Sequence, residues 1–358
     1  MKTLATAHGS LALPAFLPDA TRAAIRSADA QDVAATGIEA LMVNALHLGA
    51  QPGTSLIEQA GGIHVFMGWD RPIASDSGGF QAFSLVTAGA ALGSVTDDGF
   101  IYRTARGASK KTLDPEKSIR HQLQLGADIL FCLDHCTHPD ADAEAQRASV
   151  EHTVRWAERC KAEFAQRVDS RAEGRPLLFA VIQGGRDAAL RQTCAERLLE
   201  IGFDGYGFGG WPVRADGGLE EAVAQVAELL PASIPKHALG IGKPENLVAA
   251  HRLGYDLFDC TIPTRDARHA RLYVFEDAPV GAPSFYSTFH VSNEPFARDN
   301  RPIDGNCDCL CCRHYSRAYI HHLFKSREVL AQRLATIHNL RFYARLIQER
   351  RTHGRECS

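Results

Sequence analysis

Short apolar runs alternate with longer amphipathic stretches over the first three quarters of the chain. The runs at 40–43, 129–133, 177–182, 205–208, 237–240 and 257–259 are too short for helices and read as buried strands. Between them, at 115–125, 143–167, 186–201 and 219–230, apolar residues recur at the spacing of one helix face. A strand followed by a helix, repeated many times, predicts parallel pairing in a barrel or an open doubly wound sheet. The rhythm breaks near Arg271, and the stretch to Asn306, rich in prolines, aromatics and polar residues, reads as an insertion. Helical periodicity returns at 315–323, 328–336 and 341–350. No internal repeat or low-complexity tract is evident.

Polar groups gather where these runs end. Asp76-Ser77-Gly78-Gly79 follows the run at 72–75, Asp134 follows 129–133, and Gln183-Gly184-Gly185 follows 177–182. Gly209-Gly210 follows 205–208, and Asp259 closes the run at 257–259. Taken singly, each Asp can cap a helix and each Gly pair can make a turn. Together they mark the C-terminal rim of a (β/α)8 barrel, where active sites form.

Composition is that of an ordinary globular protein, 45% hydrophobic and 23% charged over 358 residues, enough for one large barrel or two ordinary domains. No apolar run approaches the ~20 residues that span a bilayer, and Met1-Lys2-Thr3-Leu4 lacks the apolar core of a signal peptide. A cytoplasmic location is therefore expected. Six of the ten cysteines (Cys132, Cys136, Cys160, Cys194, Cys260 and Cys357) are scattered, which suits a reducing compartment better than a disulfide framework. The net charge of −3 argues against wholesale coating of nucleic acid, yet ten Lys/Arg face only two acids from Arg313 to Arg355. That segment is either a solvated helix face or a phosphate-tracking surface.

The remaining four cysteines crowd into one loop, three of them spaced Cys307-x-Cys309-x-x-Cys312. Zinc takes four soft ligands in a tetrahedron, so this spacing predicts a structural zinc site. The fourth ligand is open on spacing alone among His314, His321, His322, His338 and His353. Elsewhere, Asp76 and Asp259 are carboxylates from different strand ends. Chemistry at an anomeric carbon needs one such group to attack or shield the oxocarbenium and another to manage the leaving group's proton. Gly78 and Gly79 would let a planar ligand approach the backbone, and Phe80 could stack on it.

The ordered motifs Ala74-Ser75-Asp76-Ser77-Gly78-Gly79-Phe80-Gln81, Val181-Ile182-Gln183-Gly184-Gly185, Gly202-Phe203-Asp204-Gly205-Tyr206, Gly240-Ile241-Gly242-Lys243-Pro244-Glu245 and Phe258-Asp259-Cys260-Thr261-Ile262-Pro263-Thr264-Arg265 go further. With the cysteine loop and Tyr315-Ser316-Arg317-Ala318-Tyr319-Ile320-His321-His322, they make the chain resemble the bacterial tRNA-guanine transglycosylases (queuine tRNA-ribosyltransferases), from about residue 8 to residue 350. The resemblance implies a single irregular (β/α)8 TIM barrel over residues 1–358, with an insertion and zinc-binding subdomain at about 271–340. It implies a pentosyltransferase that exchanges the wobble guanine of a tRNA anticodon loop for a free 7-deazaguanine base (preQ1, queuine or a relative).

By the same resemblance Asp259 is the nucleophile toward C1′ and Asp76 the general acid/base. Asp76, Ser77, Gly78, Gly79, Phe80, Asp134, Gln183, Gly210 and Leu239 bind the base, with Phe80 and Leu239 sandwiching its ring. RNA would be held by Gly240, Ile241, Gly242, Lys243, Pro244, Glu245 and Asn246, and by Thr264, Arg265, Asp266, Ala267 and Arg268. One structural Zn2+ per chain would sit on Cys307, Cys309, Cys312 and His338, leaving Cys311 a bystander. A homodimer is expected, with the helix around 315–324 in its interface, and no membrane partner.

The match departs from the family in places. Gly209-Gly210-Trp211-Pro212-Val213-Arg214-Ala215 replaces Gly-Gly-Leu-Ala-Val-Gly-Glu, and His135 stands in place of Glu. Asp266 and His269 replace asparagines, Asn44-Ala45-Leu46-His47 replaces Asn-Thr-Tyr-His, and the segment 276–286 is longer. These changes predict retained chemistry with altered specificity. Two alternatives keep parts of this reading: the same exchange on DNA, and a non-catalytic zinc-stapled RNA-binding paralogue.

Overall fold

The computed structural model describes residues 2–89 and 92–354; Arg355 of the basic tail and Cys357 lie outside the described residues. Eight parallel strands carry the architecture: β1 (Ala15–Pro18), β2 (Leu41–Asn44), β3 (Ile73–Asp76), β4 (Ile129–Phe131), β5 (Leu177–Ile182), β6 (Gly205–Phe208), β7 (Lys236–Ala238) and β8 (Leu257–Cys260). Each neighbours the next in sequence, and β8 pairs in parallel with β1. The ring closes just beyond β1, where Asp19 bridges Met42 in parallel and the Ala20 amide donates to the Met42 carbonyl at 2.7 Å. This is the expected α/β TIM barrel.

Strand alternation divides the apolar residues. Leu17, Met42, Ala74, Ile129, Phe131, Phe179, Val181 and Leu257 point inward and fill the barrel, joined by Leu4 and Leu11 of the hairpin Thr3–Thr6 and Gly9–Ala12. Phe16, Val43, Ile73, Leu130, Ala180, Ile182, Phe208 and Phe258 point outward into the layer beneath the helices. Buried on both faces, the strands read as near-continuous apolar runs. The helices start where side chains cap them: Asp114 accepts from the Lys117 amide at 2.7 Å, and Asp142 from the Ala145 amide at 2.8 Å. Helices Pro115–Leu125 and Ala143–Arg167 have the bounds their periodicity predicts.

Two local expectations are corrected. The stretches at 328–336 and 341–350 are parts of one helix, Val329–His353. Polar Asn339 between them hid the continuity, because it is fully buried and bonded rather than facing water. The strand β1 was not foreseen, since it is only four residues long, directly follows Pro14 and itself ends on Pro18.

Strands Arg271–Phe275 and Tyr286–His290 form an antiparallel hairpin, and helices Leu310–His314, Arg317–Lys325 and Val329–His353 follow. A second apolar cluster gathers here, with Leu272, Val291, Ile303, Ile320, Leu323 and Leu334 around the cysteine loop. Part of this segment's basic excess serves a third role besides the two expected ones. Arg333 pairs with Asp32, Arg341 with Asp308, Arg345 with Asp304 and Arg351 with Glu39, while Arg317 pairs with Asp299. Acids elsewhere in the chain thus consume half of the tail's cations.

Candidate active site and metal centre

The C-terminal ends of the barrel strands enclose a cavity of about 500 Å³. Of the predicted site residues, Asp76, Ser77, Gly78, Gly79, Phe80, Asp134, Gly210, Leu239, Gly240 and Asp259 line it. Gln183 lies behind the wall and reaches Asp134 from there. Strands β3, β4 and β8 therefore bring together groups that are far apart in sequence.

Asp76 ends β3. Its Oδ2 accepts from Asn44 Nδ2 at 2.6 Å and from Gln81 Nε2 at 3.3 Å, and its Oδ1 accepts from the Gly78 amide at 3.0 Å. Gly78 must be glycine: its φ is +80°, and a Cβ there would stand 2.8 Å from the Leu46 Cβ. Burial pushes the Asp76 carboxyl up to about 7; the Gly78 and Asn44 donors oppose this, and the charges of Asp19 and Asp259 reinforce it. Asp134 accepts from Gln183 Nε2 at 2.6 Å, and burial pushes its carboxyl up to about 6. Gly209 makes room for that amide, since a Cβ there would lie 2.5 Å from Gln183 Nε2.

Asp259 is held through one oxygen. His237 Nε2 meets its Oδ1 at 2.9 Å and the Gly240 amide donates to the same atom at 3.2 Å. The other oxygen has no protein partner among the described residues. His237 is fully buried against the Phe131 ring, and its Nδ1 has no partner there, so Nε2 is the nitrogen that carries the donated proton. The apolar walls are Phe80 (46% exposed), Leu239 and Trp211 (41% exposed), with the Phe80 and Trp211 rings edge to face at 5.7 Å. Trp211 Nε1 donates to the Thr137 carbonyl at 3.0 Å, which fixes the divergent loop against β4's extension.

Sequence reasoning missed Asp19, Thr21 and His237 as members of this site, and named Asn44, His47 and Trp211 only within the divergent motifs that bear on specificity. Asp19 and Thr21 follow the unforeseen β1. His237 is the middle residue of β7 and reads as core; only the later position of Asp259 opposite it gives it a role.

The predicted RNA-contacting segments flank the cavity. Gly240, Lys243, Glu245 and Arg265 are exposed and Asp266 and Arg268 half-buried, while Ile241, Gly242, Pro244, Asn246, Thr264 and Ala267 are buried. The buried members can act only by shaping the exposed ones. Asn246 does so by donating to the Gly217 carbonyl at 2.9 Å, and Asp266 accepts from the Tyr273 hydroxyl at 2.6 Å.

About the cysteine loop, Cys307, Cys309, Cys312 and His338 bring their ligand atoms within 4.8 Å of one another. His338 Nδ1 faces the sulfurs, 3.3 Å from Cys312 Sγ and 3.7 Å from Cys309 Sγ. Its Nε2 donates to the Tyr273 carbonyl at 2.7 Å, which fixes the tautomer that leaves Nδ1 free to ligate. Three thiols and one such imidazole are a donor set suited to a metal ion. Cys311 is buried away from the group, and burial raises its thiol well above the ordinary range.

A family model described as queuine tRNA-ribosyltransferase matches residues 1–356. The queuine tRNA-ribosyltransferase of Psychrobacter cryohalolentis is 40% identical over 342 residues, covering 95% of this chain and 86% of the relative. That of Idiomarina loihiensis is 40% identical over 346 residues, 96% and 87% of the two chains. A third, from Symbiobacterium thermophilum, is 41% identical over 347 residues, 97% and 82%.

Proposed function

The chain belongs to the queuine tRNA-ribosyltransferase family, a family of transferases, and we propose that it exchanges guanine in tRNA for a 7-deazaguanine base through an aspartyl-ribosyl intermediate. The observation that carries this is the pairing of a held carboxylate, Asp259, with a second one, Asp76, poised near neutrality in one cavity.

In the first half, the free oxygen of Asp259 attacks C1′ of the target nucleotide as the bond from C1′ to guanine N9 breaks. The departing guanine takes a proton, and a carboxyl at about 7 is placed to give it. In the second half, the incoming base loses its N9 proton to Asp76 and attacks C1′, releasing Asp259. Two displacements restore the original anomer. Asp134, held from behind by Gln183, and the Gly210 backbone meet the polar edge of the base between Phe80 and Leu239. The target would be the wobble nucleotide, since a loop base can be splayed out and stacked without opening a duplex. Arg265, Arg268 and Lys243 would hold neighbouring nucleotides.

We assign the metal as zinc, closed and structural, on Cys307, Cys309, Cys312 and His338, because sulfur-rich four-ligand sites select it. A homodimer through the helix Arg317–Lys325 fits the exposed Tyr319, whose ring stacks on Tyr315 at 5.2 Å. Among the described residues no helix is long and apolar enough to cross a membrane. The test is incorporation of labelled guanine into tRNA and into duplex DNA by the native protein. Incorporation into tRNA alone is expected; incorporation into DNA alone, or into neither, would refute the assignment.

A further inference from the structure

The cavity holds a third carboxylate that the exchange chemistry above does not use. Asp19 lies one residue beyond β1 and lines the cavity beside Thr21, Asn44 and His47. Its Oδ1 accepts from Thr21 Oγ1 at 2.6 Å, the Thr21 amide also bears on the carboxylate, and no side chain among the described residues bonds its Oδ2. No arginine or lysine lines the cavity with it; His47 does, and burial pushes its imidazole below the ordinary value, toward the neutral form.

The ring order of the strands says what faces it. The groups proposed to form the base pocket, Asp134 with Gln183 behind it, Gly210 and Leu239, lie at the ends of β4, β5, β6 and β7. Asp259 on β8 has β7 on one side and β1 on the other. A ribose bonded at C1′ to Asp259, with the departed base still toward β4–β7, has β1 and β2 on its other side, so the rest of its sugar is directed over Asp19. Inside a polynucleotide the 3′ and 5′ oxygens are esterified, so the one free hydroxyl on that sugar is the 2′, on the carbon next to C1′. A carboxylate oxygen is the acceptor such a hydroxyl needs.

We propose that Asp19 accepts a hydrogen bond from the 2′-hydroxyl of the target nucleotide, and that this end of the cavity is a sugar-reading subsite that selects ribonucleotide over deoxyribonucleotide. The inference rests on the base-exchange reading of the same cavity. Charge supports it. Burial, and after it the Asp259 charge, raise the Asp19 carboxyl against the Thr21 hydrogen bond. When Asp259 becomes an ester its charge is gone, and Asp19 is freer to stay ionised while the sugar is held.

The experiment compares two anticodon stem-loops that differ only in ribose or 2′-deoxyribose at the exchanged guanosine. kcat/KM for labelled guanine is measured with native protein, Asp19→Ala and Asp19→Asn. Native protein should favour the ribose substrate by about tenfold or more, the range of one hydrogen bond to a charged group. Asp19→Ala should lose activity on the ribose substrate and little on the deoxy one, so that the ratio falls toward unity, with Asp19→Asn between. The backbone groups of Asp19 and Ala20 that close the barrel are untouched by either substitution, and retained metal content and melting temperature report intact folding. A ratio unchanged in Asp19→Ala, or equal slowing of both substrates, would overturn the proposal. Should native protein bind the stem-loops without exchanging guanine, base exchange is refuted. The ribose-to-deoxyribose ratio of dissociation constants, with and without Asp19, then decides the subsite: a preference lost in Asp19→Ala supports it, and its absence removes it.

Discussion

In the proposed exchange Asp76 gives up a proton to one base and takes it from another, and its surroundings set the pH at which it can do both. Burial lifts it to about 7, and the Asn44 amide pulls the other way by bonding the ionised form. Asn44→Ala should therefore move the inflection in the pH profile of kcat/KM upward from about 7; a downward or null shift would show that another group sets it. His237 works on the nucleophile rather than the substrate. By occupying Oδ1 of Asp259 together with the Gly240 amide, it leaves the opposite oxygen to attack. Removing the donor while keeping ring volume, as in His237→Phe, should lower kcat by about 10- to 100-fold with KM for tRNA little changed. Partial recovery in His237→Gln would separate the lost hydrogen bond from lost packing, and steady-state kinetics on the three proteins reads both effects.

Among elements, the helix Val329–His353 links the metal group to the rim of the active site. One residue after the ligand His338, Asn339 Nδ2 donates to the Pro263 and Arg271 carbonyls, each at 3.0 Å, on the segment that leaves β8. One turn further, the Tyr343 hydroxyl donates to the Gly242 carbonyl at 2.6 Å. Both segments proposed to meet RNA thus hang on a helix that also carries His338 of the candidate metal group. Stripping the metal with a chelator should weaken tRNA binding about tenfold or more while free guanine still binds the cavity; titration calorimetry on holo and stripped protein measures the two separately. These links also explain which parts of the molecule the sequence revealed. The long buried strand β5 and the capped helices carry their periods openly, and the Cys-x-Cys-x-x-Cys spacing needs no tertiary knowledge. β1, four residues bracketed by prolines, has no period to detect, and Asp19, Thr21 and the closure of the barrel were hidden with it. His338 could be chosen from five histidines only by family likeness; in the structure, the approach of its Nδ1 to Cys312 Sγ at 3.3 Å distinguishes it.

Across the whole molecule, five cations of the basic tail hold the chain together through ion pairs. Arg351 donates to the Pro14 and Ala12 carbonyls as well as pairing with Glu39, and so clasps the last helix to the start of the barrel. Sequence order alone could not reveal this, because each partner acid lies in a distant segment. The active site has the opposite energetic sign. Asp76 keeps its proton in the folded state up to about 7 but loses it near 3.8 when unfolded, so its contribution to stability declines as pH rises through that window. Asp76→Asn should accordingly raise the melting temperature by about 2 °C or more at pH 8 and leave it unchanged at pH 3; a gain of equal size at both would assign the effect to something other than ionisation. Buried carboxylates that cost stability where the chemistry needs them are what a base-exchanging cavity predicts. The most direct test of that chemistry is to mix protein with a tRNA anticodon stem-loop, quench in denaturant, and look by mass spectrometry for RNA bonded to protein. A covalent adduct that maps to Asp259, and is absent from Asp259→Asn, is the predicted result. Full exchange activity in Asp259→Asn, or an adduct on another residue, would contradict the account.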